Sequence, residues 1–166
     1  AMGPNANYWF GLMGRSFIHM HHFCWAQIYI RRAQLAGVTA AQREGMLSHA
    51  IGDLNYVLIN AEPSFVMLPD IFLAMGNAHA LMKRHDLAVL AYGEAQQRKP
   101  DYWRPYSSWA DSLLAVGDRK GALAILEQGL QAAGPQPKLA EQYKRLGGNV
   151  DSLMSTAAKR APKAPA

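Results

Sequence analysis

The segment HMHHFCW, residues 19–25, holds three histidines, a methionine, a tryptophan and the only cysteine of the chain. Imidazole, thioether and thiolate groups together suit copper or haem iron. On a helix, residues three or four apart share a face. His19 with His22, His21 with Cys24, and Met20 with Cys24 are therefore the pairs able to ligate one ion. Structural zinc normally takes four ligands. No second HxxH, CxxC or HExxH follows, and His49, His79 and His85 stand singly on separate segments. A nucleophilic pairing of Cys24 with His21 lacks any marked orienting group or oxyanion donor. The cluster is read as one helix in which His22 and Cys24 pack while His19 and His21 meet solvent. No cofactor is expected; a metal- or haem-binding protein using His19, Met20, His21, His22 and Cys24 is the alternative.

Other chemistry is sparse. GLMG and GDRKG lack the strand–loop–helix setting of a phosphate loop. Asp53, Asp70, Glu94 and Asp111 fall on separate segments and read as solvated faces. Catalytic residues are not expected.

Half of the 166 residues are apolar, enough for a continuous core. Lys and Arg number 17 against 12 Asp and Glu, giving a pI near 9.5. Part of that excess is Lys159, Arg160 and Lys163 in the terminal AAKRAPKAPA, an Ala/Pro/Lys tract expected to be disordered. The remainder is weakly basic, with no Arg/aromatic interleaving, so nucleic acid is not an expected partner. A lone cysteine leaves the redox compartment open. No apolar run reaches the roughly 18 residues of a membrane span, and no signal peptide is present. The opening AMG reads as a cloning scar, which leaves open a leader removed from in front of it. Bacterial periplasm and cytoplasm both fit.

Strand signals are nearly missing and helix signals are plentiful. Pro69 sits just inside the start of PDIFLAMGNAHALMKRH, and Asp86 is a good N-cap for DLAVLAYGEAQQRKP. Thr39 and Gln42 form a capping box, and Gly117-Asp118 and Gly134-Pro135 bracket RKGALAILEQGLQAA. A shift of 34 positions superposes the second half on the first. Phe72 falls on Tyr106, Met75 on Trp109, Gly76 on Ala110, Ala88 on Ala122, Tyr92 on Leu126, Ala95 on Gly129 and Pro100 on Gly134. Small residues at 76 and 88 let two helices approach, and large ones fill the gaps between successive helices.

On these residues the chain resembles the tetratricopeptide repeat family. The resemblance rests on residues 69–136, where His79 replaces the usual aromatic before the turn. SHAIGDLNYVLINAEP repeats the second-helix pattern through Ala50, Leu54 and Val57, and FIHMHHFCWAQIYIRRAQ supplies its partner with Ala26 at the small position. Residues 17–35 are thus read as helix, with His22, Trp25, Ala26 and Tyr29 as its packing stripe.

The expected fold is all-α: a right-handed α-solenoid of about three tetratricopeptide helix pairs, with an N-terminal capping segment and a C-terminal capping helix. The scar and capping segment take 1–15, with NYWFGLMG folding over the exposed end of the first pair. The repeats take 16–63, 69–102 and 103–136, within a domain running 16–147. Residues 137–147 form the capping helix, in which Lys144 stands where another repeat would need a small residue. A short helix or disordered basic tail fills 148–166.

The resemblance implies a concave groove, lined by first helices, that holds a peptide. Its residues here would be Met20, Phe23, Gln27, Ile30 and Arg31, then Asp70, Leu73, Asn77, Ala80 and Leu81. Arg104, Ser107, Asp111 and Leu114 follow, with Lys138, Glu141 and Arg145 on the capping helix. Clamps for acidic chaperone tails need a Lys/Asn set. Phe23, Gln27 and Ala74 replace its members here, so an apolar segment anchored near Phe23 fits better. The expected function is a non-catalytic adaptor for a protein or peptide partner, by family analogy within a bacterial envelope or secretion assembly. Self-assembly into a scaffold or homo-oligomer is a further alternative.

Overall fold

A computed structural model describes residues 5–160. The opening read as a scar and the tail beyond Arg160 lie outside the described residues. Those described are helical, with no strand among them, and divide into two compact units at Arg98/Lys99.

The first unit holds α1 (Ala6–Met13), a 3-10 turn (Arg15–His19), α2 (Met20–Arg32), α3 (Ala40–Asn60), α4 (Leu68–Leu81) and α5 (His85–Arg98). α2 pairs with α3 and α4 with α5, and α4 also packs on both members of the first pair. Ala26, Leu47, Leu54, Val57 and Ile71 are fully buried in the shared core. α3 begins where the sequence places it. Thr39 Oγ1 accepts from Gln42 N at 3.2 Å, and Gln42 Oε1 accepts from Thr39 N at 3.0 Å. α4 carries Pro69 in its first turn, where a missing N–H costs nothing. α5 starts at His85, so Asp86 lies in the first turn and not before the helix. The link between α4 and α5 closes through Lys83 in left-handed conformation, φ 58°, with Arg84 N donating to His79 O at 2.9 Å.

The second unit holds α6 (Trp103–Ala115), α7 (Arg119–Ala133), α8 (Pro137–Arg145) and α9 (Val150–Arg160). α6 pairs with α7, α8 packs on both, and α9 packs on α7 and α8. Asp118 caps α7 by accepting from Gly121 N at 2.8 Å, and Gly117 and Gly134 take positive φ at the turns. α9 extends the helical backbone to Arg160, into the tract expected to be disordered. Val150, 7% exposed, joins a core of Tyr106, Leu126, Leu130, Leu139 and Tyr143.

The small positions pack as their register predicts. A Cβ on Gly76 would stand 2.4 Å from Tyr92 Cε1, so α4 and α5 meet ring against backbone. In the second unit a Cβ on Gly129 would stand 2.7 Å from Tyr106 Cβ, and Ala110, Ala122 and Leu126 are fully buried.

The N-terminal region departs from the expected single helix over 17–35. Residues 15–19 form a tighter 3-10 turn that points Ser16 inward, 2% exposed, where its Oγ accepts from Glu62 N at 2.9 Å. α1 packs on this turn through Trp9 and Phe10 against Phe17, with ring centroids 6.2 and 5.4 Å apart. The outer side of α2 stays open: Trp25, expected in the packing stripe, is 52% exposed. Among the described residues, no helix is long and apolar enough to cross a membrane.

Candidate functional site

A helix advances about 100° per residue, so His22 and Cys24 point to opposite sides of α2. His22 turns toward α3, where its Nδ1–H donates to Asp53 Oδ1 at 2.6 Å and its ring lies 4.0 Å from that of Tyr56. His21 donates from Nδ1 to the Ile18 carbonyl at 2.8 Å, His19 meets Tyr56 edge-on, and Cys24 is exposed. No group of three or more His, Cys, Asp or Glu among the described residues is arranged to hold a metal ion. Beside the cluster, Trp25, Tyr29, His49 and Asp53, with Gly45, Ser48 and Gly52, line an open hollow of about 530 Å³.

In the first unit the expected groove residues divide by depth. Ile30 is in the core at 7% exposure, Leu73 is buried at 9%, and Met20, Phe23 and Leu81 are half-buried against the core. Gln27 and Arg31 on α2 are exposed, and Asp70, Asn77 and Ala80 on α4 are half-buried. α2 packs on α4, the two helices that carry these residues. Asn77 is fixed there: its Oδ1 accepts from the Tyr92 hydroxyl at 3.1 Å. His79, two residues on and so about 200° around α4, has its pKa held below 6.5 by burial and then by the Arg84 charge, and its buried Nδ1 has no hydrogen-bond partner.

The second unit builds the corresponding face from α6 and α8. Arg104 and Asp111 are exposed on α6, with Leu114 at its far end, while Ser107 between them is 1% exposed. Lys138, Glu141 and Arg145 are exposed on α8. The residue that ties the two helices is Gln142, 3% exposed. Its Nε2 donates to Asp111 Oδ1 at 2.8 Å and to the Ser107 carbonyl at 3.4 Å. Ser107 Oγ and Gln142 Oε1 are buried without partners. Burying such groups unpaired is costly, and they lie beneath the surface; what the face presents is the exposed Asp111 carboxylate, held in place by Gln142.

Gln142 is absent from the expected set, which places Glu141 on that face by the 34-residue shift. Its signal is faint: Leu139 and Tyr143 mark the buried stripe of α8, and Gln142 lies beside Tyr143 on it. Tyr106 and Tyr143, also buried, have phenol pKa values raised above 10 by burial first, with Asp101 and Glu127 charges adding respectively. Tyr106 donates its hydroxyl to the Pro100 carbonyl at 2.9 Å and serves structure.

Comparison with known proteins finds no matching family model and no matching curated protein.

Proposed function

We propose that the protein is a non-catalytic adaptor of tetratricopeptide-repeat type, an α-solenoid that holds a peptide segment of a protein partner against its first helices. The observation that carries the reading is the contact between successive first helices within each unit, α2 with α4 and α6 with α8. On this reading Gln27, Arg31 and Asn77 belong to one face and Arg104 and Asp111 to another. The ring-to-glycine packing at Gly76 and Gly129 supports the repeat register on which this depends. Exposed Arg104 and Asp111 offer charged groups to a peptide, and the half-buried Met20 and Phe23 offer an apolar anchor.

Peptides selected from a random library against the purified protein test the reading. Bound peptides should lose at least about tenfold in affinity, about 1.4 kcal/mol, when Asp111 is replaced by Lys or Arg31 by Glu, an effect in the range of a single interface anchor. Selection that yields no binder, or binders indifferent to Asp111→Lys and to Arg31→Glu, would count against it.

A further inference from the structure

α2 is apolar on two opposite sides. Phe23, Ala26, Ile30 and Ala33 follow helical spacing inward. Half a turn away, Trp25 and Ile28, continued by Leu35 beyond the helix end, are 52%, 47% and 57% exposed, with His21 and Arg32 in the same stripe. A surface helix ordinarily turns polar residues to that side. α1 repeats the arrangement. Phe10 and Met13 are half-buried, while Tyr8, Trp9 and Leu12 are 65%, 38% and 54% exposed on a helix without a charge. Ile18, 47% exposed, links the two, since its carbonyl accepts from His21, whose ring meets Trp25 edge-on at 5.3 Å.

Charge indicates what covers this surface. No Asp or Glu precedes Glu44, while Arg15 and Arg32 are exposed. Of the carboxylates on the packed elements, Asp53 is bound by His22, Glu62 lies beside Gly14, and Glu44 is exposed on α3 next to Arg43, which donates to the Ala33 carbonyl. An apolar surface carrying arginine with so little carboxylate offers a second copy of itself no opposite charge to pair with and complements an anionic headgroup layer. Tryptophan and tyrosine favour the water–lipid boundary, and arginine pairs with phosphate. We propose that α1 and the outward side of α2 seat on an anionic lipid surface, lying in the interface without crossing it. This surface is separate from the peptide-binding faces, and its test does not depend on them.

Co-sedimentation of the full chain with phosphatidylcholine vesicles, with and without phosphatidylglycerol, tests the proposal. Binding should be at least about tenfold stronger to the anionic vesicles and weaken with salt. It should be lost in Leu12→Ser/Ile28→Ser, and separately in Arg15→Glu/Arg32→Glu. Circular dichroism checks that each variant folds, and the arginine pair, being fully on the surface, keeps the test decisive if the apolar pair unfolds. Absence of binding, or binding indifferent to the arginine pair, overturns the proposal. A vesicle-free dimer that the apolar variant abolishes also overturns it, assigning the surface to a second copy.

Discussion

At the scale of single residues, the account turns on positions that must be small. Gly76 has Tyr92 over it, whereas the same two positions of the next pair hold Ala110 and Leu126. Alanine at 76 gains up to about 1 kcal/mol of helix propensity but forces the ring aside, and overpacking of this kind costs about 1–3 kcal/mol. Gly76→Ala should therefore lower stability to urea, and adding Tyr92→Leu should recover much of the loss by recreating the Ala110–Leu126 pair. A double variant no better than the single would break the register argument. His79 makes a pH prediction. Its folded pKa lies below the 6.5 of an unhindered imidazole, so the unfolded chain takes up the proton first. The stability it contributes is full above 6.5 and is lost as pH falls through the folded value. His79→Phe should flatten the stability profile over that window relative to wild type, measured by thermal melts. These small and buried positions were legible because close approach leaves few residue types to choose from. Trp25 was not: its spacing fits a packing stripe, but whether a neighbour covers that stripe is decided by the path of α1.

At the scale of elements, local signals proved readable and long-range ones did not. The Thr39–Gln42 capping box lies within one turn and forms as its residue types dictate. Thr39→Ala should cost about 1 kcal/mol in chemical denaturation; no change would show that α3 is held by packing alone. The 3-10 turn before α2 depends on Ser16 reaching Glu62, 46 positions away, and no local pattern announces such a bond. Ser16→Ala should destabilise by about 1 kcal/mol and increase amide exchange at Glu62. The start of α5 shows the ordinary slip at boundaries: Asp86 favours a helix N-terminus equally well one position either side of the start.

At the scale of the whole molecule, the all-helical architecture and the pairing of α4 with α5 and of α6 with α7 were legible from the 34-residue repetition, because the two helices of each pair must bury one stripe against each other. The candidate faces were legible in part. Carrying the groove pattern onto α2 and α4 selected Ile30 and Leu73, which are buried, since a stripe at the border of a helix contact faces the neighbour as readily as a ligand. Gln142 escaped because its importance comes from Asp111 and Ser107 across the packing of α6 and α8. The measurement that bears most directly on the adaptor reading is calorimetric titration of one library-selected peptide into wild type, Asp111→Lys, Arg31→Glu and Ile59→Ser, the last an exposed residue on α3. The account predicts at least about tenfold weaker binding in one or both charge variants and less than about twofold change in Ile59→Ser. Equal affinities across all four proteins, or a loss confined to Ile59→Ser, would contradict it.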